Sequence, residues 1–490
     1  MLNAGILLSL ALLAGRLAGL LRELLLASMF GVSAEADIAV LLLSVPDLFV
    51  NLLVSGGLTA ALVPHLSSLD KQGAMVLWRQ ATVAAALLFG VIGASLVAWP
   101  QGLFQLLAPG VTLPFGPGSA MLVAIAAAVT LTGAAGVAGA YLNANGRYGV
   151  TGSGTLIFNL VVLAALWMGS GSSDPLAWLA GGVAAGALVR WFAQLLTVPA
   201  RAWVARTSAP VADRALARAF VTAAMAAAMM LLAPLLVRAL ASLIGTGAIA
   251  SFNYAQKLVE LPVGILITSV STISLTRLSG LYAQNDARGL ATSALKDTQY
   301  ALLMGVSVAL LGCWFADAVV HVLFGRGEMD SAALARVAGL TRIALVGVPL
   351  VALSSMAMAR LNATRRTAEL LKPTMGALAL LPILALPGLY WSSEVALMGA
   401  VVAFQAVLAI WLSVLAGLRL FGAGALLAPA AVPFFGAVAS AGVLAAVLDS
   451  ALDMRQQWLR LALAGACFGL ALLPMRRFLR SNSDQPTLAT

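Results

Sequence analysis

NAGILLSLALLAGRLAGLLRELLLASMF, residues 3–30, decides the fold class. It is an almost wholly apolar run, long enough to cross a bilayer, and it is interrupted by Arg16, Arg22 and Glu23. A guanidinium near the middle of a bilayer costs about 2.5–3.5 kcal/mol on insertion scales, so two of them need an offsetting partner. A water-filled space between helices or an anionic ligand is the usual remedy, which makes Arg16 and Arg22 candidates for an intramembrane anion site. Arg16 and Glu23 are seven residues apart and share a helix face, whereas Arg22 points away from Arg16 unless the helix bends. Snorkelling accounts for Arg22 more easily than for Arg16, which is far from both ends of the run. Gly15 and Gly19 form a GxxxG pair that ordinary helix packing explains.

The rest of the chain repeats this pattern. Of its 490 residues 62% are hydrophobic and only 9% charged, and the mean hydropathy is +1.01, which leaves too little polar surface for a water-soluble domain. The apolar runs are long and do not alternate, so an all-α bundle is expected and a membrane barrel is not. The 46 glycines suit close helix contacts in lipid. Windows of about 20 apolar residues give about fourteen transmembrane helices. They are expected near 4–29, 37–66, 78–108, 117–143, 149–170, 175–200, 217–240, 247–273, 297–323, 334–363, 371–391, 394–418, 427–448 and 456–478. The basic, Pro210-containing stretch 201–216 reads as a cytoplasmic linker. It divides an N-terminal six-helix half (1–200) from a second six-helix half (217–418), followed by two C-terminal helices and a short cytoplasmic tail (419–490). Two six-helix halves around a central cavity form a transporter plan.

With the N-terminus inside, inner loops collect Lys71, Arg79, Arg147, Arg201, Arg214, Arg288, Lys296, Arg365, Arg366, Lys372, Arg476 and Arg477. The outer side receives chiefly Arg326, Arg336, Arg455 and Arg460, so both termini are expected in the cytoplasm. The Gly31–Glu35 and Gly169–Asp174 loops then face outward. Topology accounts for the net charge of +10, and basic residues dispersed over short loops do not suggest nucleic acid. The first run lacks a basic n-region and a convincing cleavage site, so it reads as a retained span. Cys313 and Cys467 lie in apolar surroundings without a CxxC, and His65 and His321 have no metal-ligand spacing. No P-loop or nucleophile elbow appears, and neither an enzyme nor a metal site is expected.

Further polar residues interrupt later spans. Asp37 opens the second span, where capping of its own helix is the plain reading. Asp47 and Asn51 stand at i, i+4 just after Pro46 and can hold Arg16 or Arg22 in place when no ligand is bound. Lys257 and Glu260, at i, i+3, can pair locally ahead of Pro262. Arg190, Arg238 and Arg342 sit nearer span ends, where snorkelling is the default.

The stretch GRLAGLLRELLLASMFGVSAEADIAVLLLSVPDLF (15–49) resembles the opening of the MurJ/MviN lipid II flippases of the MOP superfamily. So do GGLTAALVP (56–64), GAYLNANGRYG (139–149), YAQKLVELPVGIL (254–266) and LFGRGEMD (323–330), in the same order. The resemblance implies a bacterial inner-membrane flippase that moves a polyprenyl-diphosphate-linked glycan outward by alternating access. It implies no cofactor, a drive from the membrane potential or an ion gradient, and a monomer among membrane lipids. It also implies substrate binding by Arg16, Arg22, Asp37, Lys257 and Glu260, with Glu23, Asp47 and Asn51 in support. Three positions depart from the family pattern. Val50 and Asn51 stand where an arginine is usual, Lys257 replaces an arginine, and RRTAELLKPT (365–374) lacks the usual Asp and Thr-Pro pattern. A flippase for an exopolysaccharide or O-antigen-type lipid-linked oligosaccharide is therefore an alternative. From another class, a cation-coupled MATE-like exporter of small molecules would want acids and aromatics rather than arginines in its cavity.

Overall fold

A computed structural model describes residues 2–52, 58–205 and 214–418, and every regular element in them is a helix. The chain opens with α1 (Leu2–Phe30), α2 (Ala34–Leu52), α3 (Leu58–Ser68), α4 (Lys71–Ala98) and α5 (Pro100–Leu107). It continues through α6 (Ala120–Ala144), α7 (Tyr148–Gly152), α8 (Gly154–Met168), α9 (Pro175–Leu195) and α10 (Arg214–Ser242). Then follow α11 (Ala248–Pro262), α12 (Thr268–Ala283), α13 (Ala287–Phe324), α14 (Ser331–Val346), α15 (Val348–Ala363), α16 (Leu371–Tyr390) and α17 (Glu394–Leu415).

Local chemistry sets many of these boundaries. Asp70, Ser119, Asp174, Asp286, Asp330 and Ser393 each accept a hydrogen bond from a backbone N–H in the first turn of the helix that follows. Pro100 and Pro175 stand at helix starts, where a missing N–H costs nothing. Pro262 ends α11 and leads into a π turn, Val263–Ile267, before α12.

Among the described residues nine continuous helical stretches are long and apolar enough to cross a membrane, so this is a multi-pass helical membrane protein. Of the other expected spans, three fall on α1, on α2 with α3, and on α10, while 427–448 and 456–478 lie outside the described residues, as do residues 206–213 of the 201–216 linker. The second span, expected over 37–66, falls on α2 and α3, with 53–57 outside the described residues. At 38 residues α13 is about 57 Å long and exceeds the hydrocarbon thickness. Its charged first turns, with Arg288, Lys296 and Asp297, mark the protruding end.

The helices pack as two compact units. The first comprises Met1–Ala250 with Gly327–Met329. At its centre α6 buries eleven consecutive residues, Thr132–Leu142, a run of Gly and Ala that lets α4 and α9 approach closely. Trp78 is fully buried against Tyr141 and Trp203, and α10 packs on α2, α3 and α5. The LFGRGEMD motif supplies a backbone clasp on the end of α1, where the Glu328 N–H donates to the Ser28 carbonyl at 2.9 Å. Gly327 has φ +63°, and a Cβ there would collide with the same carbonyl oxygen, so only glycine fits.

The second unit comprises Ser251–Arg326 and the chain from Asp330. Here α13 packs on α14 and α15, α15 on α12 and α17, and α16 on α17. Polar clamps tie these helices together. Arg336 holds Glu394 through two nitrogens, and Ser251 donates to the same carboxylate at 3.1 Å. Asp297, buried in α13, accepts from Arg277 and from Ser274.

Candidate functional site

The candidate site grows from the α1–α2 turn. Gly31, with φ +59°, ends α1, and Ser33 caps α2 by accepting from the Ala36 N–H at 3.1 Å. The chain thereby reverses and sets the inner part of α2 beside α1. Arg22 is 5% exposed in the first unit. Its Nη1 donates to Asn159 Oδ1 at 3.0 Å and its Nη2 to Glu23 Oε1 at 2.8 Å. Asp47 Oδ2 lies 3.6 Å from the same Nη2. Asn159, on α8, donates in turn to the Gly15 carbonyl at 3.1 Å, and Gly19 lets its amide lie directly on α1. The GxxxG pair thus packs as expected, and what it packs is the group that orients Arg22.

The four side chains divide into a sealed part and an open part. Arg22, Glu23 and Asn159 are buried, while the Asp47 side chain is 41% exposed. A buried arginine with two carboxylates and an amide is held in one orientation, and Asp47 is the member an incoming anion can displace. The snorkelling account of Arg22 fails, because helix α8 supplies a partner that keeps the guanidinium inside.

The structure places the other expected residues differently. Arg16 is on the exposed face of α1, together with Leu13 and Leu17. Asp37 does not cap its own helix, which is the role of Ser33. Its buried carboxylate accepts from the Gly247 N–H at 2.7 Å and the Ala250 N–H at 2.8 Å, so it caps the first turn of α11. Lys257 and Glu260 belong to the second unit and pair with each other, Nζ to Oε2, at 2.8 Å with both side chains well exposed. Asn51 lies in the last turn of α2, and its side chain lies outside the described residues.

Two residues carry more than their sequence context suggests. Asn159 sits alone among apolar neighbours in α8, and that isolated amide is the signal that marks it. Arg190 does not snorkel: it is 5% exposed inside the first unit, within electrostatic reach of Asp47. Arg342 is also paired, with Asp317 of α13, on a more exposed face. Among the described residues no group of three or more His, Cys, Asp or Glu side chains is placed to hold a metal ion.

A family model described as lipid II flippase MurJ matches residues 26–446. The chain belongs to the MurJ family. That membership makes it a transporter rather than an enzyme. Among curated relatives, the MurJ protein of Burkholderia cenocepacia, described as a lipid II flippase, is 26% identical over 373 residues, 69% of each chain. The one from Vibrio cholerae serotype O1, described as a probable lipid II flippase, is 25% identical over 355 residues, 67% of this chain and 66% of its own. The match to these relatives therefore spans about two thirds of their length. A solved lipid II flippase MurJ in an inward closed conformation shares the fold at 15% identity, with a TM-score of 0.79 over 97% of this chain and 99% of that one. An inward-facing MATE family transporter of the MOP superfamily also shares it, with a TM-score of 0.68 over 83% of this chain and 94% of its own, again at 15% identity. The MurJ family match begins at residue 26, after Arg16 and Arg22, so the reading of those arginines rests on their own geometry.

Proposed function

We propose that this MurJ-family chain carries a polyprenyl-diphosphate-linked glycan, lipid II or a close relative, from the inner to the outer leaflet of a bacterial inner membrane by alternating access. The observation that carries the reading is the buried, oriented Arg22 beside the half-exposed Asp47. A membrane helix bears that cost where an anion is to be bound. Arg16, Arg22 and Lys257 supply cations for the diphosphate, while Asp37 and Glu260 complete the substrate-binding set. Glu23, Asp47 and Asn51 hold the cations when no substrate is bound. The prenyl tail stays in lipid throughout. The protein works as a monomer with both termini in the cytoplasm, without a cofactor, and draws on the membrane potential or an ion gradient.

The substitution of lysine for arginine at 257 and the lack of an arginine at 50–51 favour one second reading, in which the glycan is an exopolysaccharide or O-antigen-type precursor. A MATE-like exporter of organic cations is disfavoured by a buried arginine at the site. Complementation separates the two lipid readings. A Gram-negative host depleted of its own lipid II flippase should grow when this chain is expressed. Failure of a correctly inserted chain to support growth would move the substrate to another lipid-linked glycan. Orientation is tested by single cysteines, which should label from outside at Ser33 and Ser172 and not at Ser208.

A further inference from the structure

One membrane-length stretch of the second unit turns its polar side outward. Ala248–Ala283 runs through α11, the π turn and α12. In α12, Leu275, Leu278 and Leu281 pack into the apolar core of the unit, on the side of α13 and α15. The open side is different. Five residues between 268 and 276 are exposed, and four of them, Thr268, Ser269, Thr272 and Thr276, carry hydroxyls, with Ile273 the fifth. Helix α16 of the same unit shows the opposite pattern, the one that suits hydrocarbon. From Met375 to Pro387 every exposed residue there is apolar, Leu380, Ile383 and Leu386 among them. Lone hydroxyls can lie in lipid by bonding back to their own helix. An ion pair cannot do so cheaply, and in the Lys257–Glu260 pair of the same stretch the Glu260 side chain is 60% exposed. Ion pair and hydroxyl row together mark a side that faces water.

Hydrogen bonding indicates what this side receives. Thr268 Oγ1 donates to the Val263 carbonyl at 3.3 Å, Thr272 Oγ1 to the Thr268 carbonyl at 2.9 Å and Thr276 Oγ1 to the Thr272 carbonyl at 3.1 Å. Ser269 donates to the Ile265 carbonyl in the same way. A hydroxyl has one hydrogen, so these oxygens are left with acceptor capacity alone. Phosphate oxygens are acceptors too and gain nothing from such a row. Sugar hydroxyls and amide N–H groups are donors and match it. The row begins eleven residues after Lys257, about 16 Å along the helix, a span that a diphosphate and a short glycan can bridge.

We propose that Thr268, Ser269, Thr272 and Thr276 form an acceptor row that binds the glycan of the cargo through its O–H and N–H donors, apart from the cations that hold the diphosphate. The proposal rests on the reading of the cargo as a diphosphate-linked glycan, and it assigns the two parts of that head group to different chemistry. The row responds to the sugar and is indifferent to the phosphate.

The test is calorimetric titration of the full chain in nanodiscs with two probes that differ by one sugar, farnesyl diphosphate and farnesyl-diphospho-N-acetylglucosamine. A Thr272→Val, Thr276→Val double mutant should bind the glycosylated probe about tenfold more weakly, the loss expected for two hydrogen bonds, with farnesyl diphosphate changed by less than about twofold. Thr272→Ser with Thr276→Ser keeps both acceptors and should bind the glycosylated probe as the parent does. Equal affinity of the parent and the valine mutant for the glycosylated probe would overturn the row and leave diphosphate recognition standing. A parent that binds neither probe would overturn the flippase reading and the row with it. Labelling gives a second readout in a chain carrying Cys313→Ala and Cys467→Ala. Thr272→Cys should react with a charged methanethiosulfonate, Ile383→Cys should not, and the glycosylated probe should slow the reaction about threefold or more. If the valine mutant does not fold, a Thr272→Cys protein that stays unlabelled, or whose labelling the glycosylated probe does not slow, overturns the proposal equally.

Discussion

Two ion pairs of the same length, one in each unit, behave as different objects. Arg22–Glu23 in the first unit and Lys257–Glu260 in the second both span 2.8 Å, yet the side chains are 6% and 3% exposed in the first and 34% and 60% in the second. Distance alone therefore says little about energy. Two charges removed from solvent lose hydration that only a complete set of partners replaces, and breaking such a set strands a charge. An exposed pair at i, i+3 exchanges one set of partners for water and loses little. The first pair is built to hold one guanidinium in place, and the second leaves its members in contact with solvent.

The largest expected effect comes from breaking the buried set. Arg22→Ala should lower stability by about 3–5 kcal/mol by leaving Glu23 without its guanidinium, read as a drop in the thermal unfolding temperature of purified protein, and it should abolish transport. A variant as stable as the parent would show that Glu23 sheds its charge or finds water, and that the burial contrast carries no energetic weight. Asn159→Leu comes next, since it removes one hydrogen bond to Arg22 and another to the Gly15 carbonyl. A loss of about 1–3 kcal/mol is expected, with Glu23 still holding the arginine. An Arg22→Ala, Asn159→Leu double mutant should lose clearly less than the sum of the two single changes, and strict additivity would mean the two side chains do not act together.

Asp37→Ala extends the comparison to a buried carboxylate that accepts from backbone N–H groups. Losing two backbone hydrogen bonds at the start of α11 should cost about 1–2 kcal/mol, and Asp37→Asn, which keeps an acceptor, should cost less. Equal losses for the two would point to charge rather than capping. Smallest in stability is Lys257→Gln, expected within about 0.5 kcal/mol of the parent, while its transport falls. Lys257→Arg should restore a forked donor and raise transport of a diphosphate lipid. A Lys257→Gln protein with full transport would remove Lys257 from the substrate site.

Much of this was legible in the residues. Arg16 and Arg22 were marked by their cost in an apolar run, and Asp47 by standing after Pro46 with no helix end to cap. That charge count offered Asp47 as a partner for Arg16 or Arg22, and the structure places it beside Arg22. Other assignments depended on contacts that no local pattern encodes. Asn159 is 137 residues from Arg22, and Asp37 is 210 and 213 residues from the two N–H groups it accepts. For Arg190 the sequence suggests snorkelling, because position along a span does not reveal which face of the helix is covered.

By itself the sequence determined that this is a helical multi-pass membrane protein with charges that need partners. In hydrocarbon every backbone polar group must be satisfied within the segment, so long apolar runs have few structural options. Only the tertiary structure decided which charges are sealed, which are shared and which stay open. Burial and pairing depend on what a neighbouring helix presents at the same depth. For Arg22 that neighbour is α8, which brings Asn159, and for Arg190 it is the bare backbone at Gly154.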